Sequence, residues 1–187
     1  MEEYLEVVDD EGRVTGLAPR SRCHRDPSLP HRAVHVLVFN GRGELFLQKR
    51  SPQKDIQPGK WDTSVGGHLA PGESYEVAAI REMAEELGIR GVRLEHLYDY
   101  TWRTDRETEL IRTYRCTYDG PITPNPEEIA EGRFWSLREI EEALGTGLFT
   151  PNFEEEFRRY MRWMDTCFSK RPTADREGLQ TKGGGDA

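Results

Sequence analysis

Residues 67–89 read Gly-His-Leu-Ala-Pro-Gly-Glu-Ser-Tyr-Glu-Val-Ala-Ala-Ile-Arg-Glu-Met-Ala-Glu-Glu-Leu-Gly-Ile. Neither Gly nor Pro interrupts Tyr75 to Leu87, so the stretch predicts a helix, with Ser74 as N-cap and Gly88 as its stop. The residues before it read as a glycine-rich turn. With Glu82 at zero on a wheel advancing about 100° per residue, Glu85 falls at about 300° and Glu86 at about 40°. Three carboxylates thus share a face. Val77, Ile80, Ala84 and Leu87 fall between about 140° and about 220°, which is the expected core face. Glutamates on a helix are ordinarily just solvated, but three at this spacing repel by a few tenths of a kcal/mol per pair, roughly. A cluster of carboxylates beside a glycine turn suits a hard divalent cation, which takes oxygen ligands from side chains and backbone.

The rest of the chain bounds what such a site can serve. Its 187 residues suffice for one domain, expected over residues 1–168, and a polar tail, 169–187. No apolar run approaches membrane-spanning length and the N-terminus is acidic, so no membrane segment or signal peptide is expected. Cys23, Cys116 and Cys167 are far apart and suggest no disulfide framework, which fits a reducing cytoplasm. The net charge of −8 argues against a nucleic acid polymer as partner. An acidic protein acting on phosphates needs local cations, from a bound metal and a few placed Arg or Lys.

Outward from the helix, Tyr4–Val8 and Val14 onward read as a hairpin turning at residues 9–13. Residues 19–31 read as a loop. Ala33–Phe39 is apolar apart from His35 and predicts a central buried strand. Asn40-Gly41-Arg42-Gly43 turns it into a strand over 44–49. Residues 51–60 form a loop, and 62–65 a short strand leading into the helix segment. Two long strands, 92–104 and 108–118, follow, then a last one ending at Trp135. Ser136 and Glu139 make a capping box for a helix to about Leu144. Thr150-Pro151 opens a final helix whose Phe153, Phe157, Tyr160, Met161 and Met164 form a packing stripe. This order suits an α+β protein, an α/β/α sandwich with a central mixed β-sheet.

The stretch also resembles the signature of the Nudix hydrolase family, G-x5-E-x7-R-E-U-x-E-E-x-G-U with U aliphatic. The matching positions are Gly67, Glu73, Arg81, Glu82, Met83, Glu85, Glu86, Gly88 and Ile89. The resemblance implies the same sandwich fold. It also implies Mg²⁺ or Mn²⁺ bound by Glu82, Glu85, Glu86 and the Gly67 carbonyl, with Arg81 pairing Glu73 to fix the loop. The implied substrate is a small-molecule diphosphate, attacked by water at phosphorus. The oligomeric state has no readable motif, although Nudix enzymes are often homodimers.

A second likeness covers roughly residues 20–135. His24-x6-His31, Phe39-Asn40, Arg50 and Lys54 before Pro58-Gly59, and Ser64-Val65-Gly66-Gly67-His68 resemble type I isopentenyl-diphosphate isomerase, itself a Nudix-fold enzyme. That likeness implies a further divalent-metal site at His24, His31, His68, Glu107 and Glu109. It also implies that Arg50 and Lys54 hold the substrate diphosphate. Glu107 and Glu109 have the period-2 spacing that puts both on one strand face. The departures favour hydrolysis. The isomerase has a cysteine where this chain has Gly66, and a tryptophan near the position of Gly147. Its own signature is degenerate where this chain keeps Arg81-Glu82. Isomerisation and a non-catalytic nucleotide-diphosphate sensor are the alternatives; sensors usually lose signature glutamates, and this chain has lost none. His35 and His96 read as structural, Trp61 and Trp102 as packed, and Glu127 or Glu128 as candidates for a further ligand or base.

Overall fold

The computed structural model describes residues 2–54 and 56–169. In chain order the elements are β1 (Tyr4–Val8), β2 (Val14–Pro19), α1 (Arg20–Cys23), β3 (His31–Phe39), β4 (Leu45–Arg50), β5 (Trp61–Asp62) and β6 (Val65–His68). Then come α2 (Tyr75–Leu87), β7 (Glu95–Arg103), β8 (Thr108–Thr117), β9 (Ile129–Trp135), α3 (Leu137–Ala143) and α4 (Pro151–Ser169). Two units divide the chain, residues 1–154 and 155 onward.

In the first unit the apolar run around Val36 is the centre of a mixed sheet, as its composition predicts. β3 pairs in parallel with β8 along its whole length and antiparallel with β6, and touches β1 at His31. β4 pairs antiparallel with β5 and β9. The β3–β4 ladder is the single pair Phe39–Leu45, so the two strands part directly after the turn at residues 40–43. Parting strands strand backbone groups, and buried Ser64 satisfies two of them. Its hydroxyl accepts from Val38 N (2.9 Å) and donates to Phe46 O (2.5 Å). The chain crosses from β4 to β3 at this point. The expected strand over 62–65 is therefore two pieces, β5 and β6, and the expected glycine turn at Gly66-Gly67 is β6 itself.

Val34, Val36 and Val38 pack against Ala78, Ala79, Met83 and Leu87 of α2 in the main core. Ser74 caps α2 by accepting from Val77 N, and Gly88 ends it in the left-handed region at φ 69°. The helix is rotated from the expected orientation. Val77 and Ile80 are 55% and 49% exposed, while Glu86 is buried with Met83 and Leu87. Loop 19–31 holds one helical turn, α1, too short to leave a periodic signal. The capping box of α3 forms as expected, with Ser136 and Glu139 each bonding the other's backbone. Trp61 packs edge-to-face on Trp135, ring centroids 5.1 Å apart.

The second unit continues α4, in which the Tyr160 and Trp163 rings stack and the Tyr160 hydroxyl reaches Met164 Sδ (3.3 Å). Phe153, Phe157 and Tyr160 are buried. The expected tail, apart from Ser169 at the end of α4, lies outside the described residues. Among the described residues no helix is long and apolar enough to cross a membrane.

Candidate active site and metal centre

Strand alternation makes β6 a partition. The missing side chain of Gly67 faces α2, while the imidazole of His68 faces the other way. A β-carbon at Gly67 would lie 2.1 Å from Glu82 Cδ, so the carboxylate rests directly on the glycine backbone. Glycine is the residue type that permits this approach.

Arg81 organises the α2 side. Its Nε and Nη2 donate to the two oxygens of Glu73 (3.0 and 2.8 Å), and Nη2 also to the His68 carbonyl (3.0 Å). Its Nη1 donates to Glu82 (2.7 Å) and Glu85 (3.3 Å). Glu73 in turn accepts from Ala70 N (2.8 Å), which ties the loop to the helix. The Arg81 hydrogen bonds hold the Glu73 carboxyl below its usual range. Of the three signature glutamates, Glu85 is the exposed one, its side chain 58% accessible.

Burial raises the Glu82 pKa, with Arg81 opposing, and raises Glu86 to about 8, with the Glu82 charge adding to the effect. The Gln48 amide donates to Glu86 (2.8 Å) and to Ser64 O (3.3 Å). Burying Leu87 contributes about 1.5–3 kcal/mol, whereas burying an ionised carboxylate costs several kcal/mol, roughly, unless a partner compensates. A neutral amide does not balance that charge. Glu86 therefore needs either a proton or a cation, and partly buried Glu82, bonded to Arg81, adds negative charge beside it. Gln48 was missed by sequence reading; its signal is a polar side chain in the otherwise apolar run Leu45-Phe46-Leu47.

Arg50 and Lys54 lie near this pair. Arg50 donates to Asp62 (3.0 Å) and to Ile56 O (2.9 Å). Lys54 pairs with Glu128. Burial lowers the Lys54 pKa, Arg50 lowers it further and Glu86 opposes, which places all three within electrostatic reach of one another.

On the other side of β6 the structure gathers His24, His31, His68 and Glu109, one ligand atom of each lying within 4.8 Å of every other. They come from the end of α1, the start of β3, β6 and β8, and are spread over residues 24 to 109. Glu107 joins through a close contact of its Oε2 with His24 Nδ1, 2.6 Å, that is not aligned as a hydrogen bond. Glu109 lies 3.2 Å from His68 Nε2 and 3.7 Å from His31 Nε2. The His31 Nδ1–Leu29 O contact, 3.2 Å, assigns a proton to Nδ1, so Nε2, facing the cluster, is the nitrogen able to present a lone pair to a cation. Both ring nitrogens of His24, Nε2 of His31 and Oε2 of Glu107 are buried without a hydrogen-bond partner. Burial alone would raise Glu109, but His31 and His68 hold its carboxyl well below the usual range. Burial lowers the His68 pKa. Converging lone pairs and a carboxylate with few donors are the chemistry of a cation site.

His35 is buried on the same face as His31, and a β-carbon at Gly66 would come within 3.2 Å of its ring. His96 instead sits on the surface against Asp99 (2.9 Å).

A model of the NUDIX domain matches residues 29–163. An uncharacterized Nudix hydrolase of Streptomyces coelicolor is 34% identical over 164 residues, covering 87% of this chain and 90% of its own. An isopentenyl-diphosphate Delta-isomerase of Nocardia farcinica is 35% identical over 156 residues, covering 79% and 88%. A crystal structure from Deinococcus radiodurans superimposes with TM-score 0.72 at 28% identity, over 84% of this chain and 98% of that one. The chain belongs to the Nudix hydrolase family of pyrophosphohydrolases.

Proposed function

We propose that the protein hydrolyses a diphosphate linked to a further moiety, X, with Mg²⁺ or Mn²⁺ held by Glu82, Glu85, Glu86 and the Gly67 carbonyl. The observation that carries this reading is the Glu82–Glu86 pair: Glu82 rests on the Gly67 backbone and is bonded to Arg81, while buried Glu86 accepts from the neutral Gln48 amide. A cation held by these residues would supply charge neutralisation at the diphosphate and a more acidic water. In the reaction a water oxygen bonds to phosphorus, the bridging P–O bond breaks, and phosphate or a monophosphate leaves. Arg81 holds Glu73 and the His68 carbonyl, and so keeps loop and helix in register. Arg50, oriented by Asp62, and Lys54 hold the diphosphate oxygens. Glu128, beside Lys54, is placed to orient that ammonium or to accept a proton.

The cluster of His24, His31, His68, Glu107 and Glu109 holds a second divalent cation in this reading. Its imidazole nitrogens suit Mn²⁺ or Zn²⁺ better than Mg²⁺. The substrate is a small molecule, for example a nucleoside diphosphate derivative. The acidic charge accords with the absence of a nucleic acid polymer, and the unpaired cysteines with a cytoplasmic setting. A homodimer is the expected assembly by family resemblance.

Isomerase relatives make that activity the second reading. Against it, Gly66 offers no thiol, and the His35 ring crowds the space a side chain there would enter. The test is a panel of nucleoside di- and triphosphates, dinucleotides, nucleotide sugars and isoprenoid diphosphates with Mg²⁺ or Mn²⁺. Phosphate release that disappears in Glu85→Gln supports hydrolysis. Double-bond migration in isopentenyl diphosphate without phosphate release would establish the isomerase, and binding with neither outcome a sensor.

A further inference from the structure

The Arg50 guanidinium is held at two of its nitrogens, Nε by Ile56 O (2.9 Å) and Nη1 by Asp62 Oδ2 (3.0 Å). Nη2 has no partner among the described residues and keeps accessible surface. A guanidinium is a rigid plane, so fixing two nitrogens sets the direction of the third. The Arg50 backbone is pinned as well, N donating to Lys60 O (2.9 Å) and O accepting from Gly59 N (3.1 Å).

Asp62, which aims this plane, is itself held from a distant part of the chain. Its Oδ1 accepts from Thr63 N (2.9 Å) and from the Thr150 hydroxyl (2.8 Å), 88 residues away in sequence. Thr150 arrives there because the segment before α4 is tied to β5. Trp61 N donates to Leu148 O (3.1 Å), and Thr150 N donates to Trp61 O (2.9 Å). The same hydroxyl accepts from Phe153 N (3.2 Å) and so caps α4. A hydroxyl carries one proton, and with Phe153 N–H on a lone pair that proton goes to Asp62. Thr150 is 3% exposed, so little water competes for this bond.

We propose that Thr150 is a positioning residue for diphosphate binding: through Asp62 it sets the plane of Arg50, whose Nη2 edge meets the phosphate oxygens. The proposal deepens the hydrolytic reading and rests on it, because in that reading Arg50 holds the diphosphate. Without the hydroxyl, Asp62 Oδ1 keeps only the Thr63 amide and the carboxylate is free to turn. The Arg50 plane then turns with it. Glu82, Glu85 and Glu86 make no contact with Thr150, so the metal ligands are left as they are.

Calorimetric titration of the full chain with methylenediphosphonate, whose P–C–P bridge water does not cleave, in excess Mg²⁺ tests this. The native chain is expected to bind with Kd below about 1 mM, and Thr150→Val at least about fivefold more weakly. Thr150→Ser, which keeps the donor and the cap, should bind within about twofold of the native chain. Arg50→Ala should weaken binding by itself, and adding Thr150→Val to it should cost nothing more, as expected of a residue that acts through another. Thr150→Ala should give the same pattern, and it replaces Thr150→Val if that chain lacks native circular dichroism. Native-like binding by the Thr150 variants, or the same loss with and without Arg50, would overturn the positioning role alone. No binding by the native chain, or native-like binding by Arg50→Ala, would instead contradict the diphosphate reading of Arg50 and the proposal with it.

Discussion

The two sides of β6 answer one problem in different ways. On the α2 side, oxygen donors come from a single contiguous segment, and one arginine spans Glu73, Glu82, Glu85 and the His68 carbonyl. On the other side, nitrogen donors arrive from three separate places, the end of α1, β3 and β6, with Glu109 of β8 as the shared acceptor. Gly67 and His68 are neighbours in sequence yet serve opposite sites, a direct result of the two-residue repeat of a strand. The contrast teaches how local a site can be. The helical site is assembled by folding one segment, whereas the histidine site exists only once β3, β6 and β8 have paired.

Breaking the helical side should have the largest effect. Glu82→Gln is expected to weaken Mn²⁺ binding, read by electron paramagnetic resonance, by at least about 100-fold, the upper range for losing even an outer-shell partner. Unchanged affinity would remove the carboxylate face from the metal account. A smaller effect should separate the two glycines. Gly67→Ala, driven into Glu82, should cost about 1–3 kcal/mol in urea unfolding. Gly66→Ala meets the movable His35 ring and should cost less than about 1.5 kcal/mol. Equal costs would mean that Glu82 does not rest on Gly67 in solution.

On the histidine side, His24→Ala and Glu109→Gln should each remove one Mn²⁺ or Zn²⁺ per chain by mass spectrometry while leaving Mg²⁺ binding intact. Unchanged stoichiometry would show the cluster to be a hydrogen-bonded core.

The last effect, read as a slope per pH unit, concerns protons. Glu86 is raised from 4.5 to about 8 when folded, so between those values the folded state binds more protons than the unfolded one. The stability this contributes is fully present below about pH 4.5 and is lost as pH rises through about 8. Metal-stripped protein should therefore lose stability over that window by up to about 1.4 kcal/mol per pH unit from this group. Thermal melts of Glu86→Gln should show a flatter slope; an equal slope would place the titration elsewhere.

The same contrast explains what the sequence made legible. The limits of α2, its Ser74 cap and its Gly88 stop follow from local rules, and so does the capping box at Ser136. The orientation of α2 does not. The apolar side chains Val77 and Ile80 argued for one buried face, but Gly67 draws Glu82 and Glu86 inward and turns them to solvent. The break between β5 and β6 is likewise a consequence of β3 and β4 parting, which Ser64 bridges and no local signal announces. The five residues of the histidine cluster could be named only through family likeness. Gln48 and Asp62 act through partners distant in sequence and went unread.

The most direct test of the account measures phosphate release from the diphosphate panel with Mg²⁺ in the native chain, Glu86→Gln and His24→Ala. Release by the native chain that falls at least about 100-fold in Glu86→Gln, and less in His24→Ala, is the expected result. Release that survives Glu86→Gln and disappears in His24→Ala would put the chemistry on the other face of β6 and contradict it.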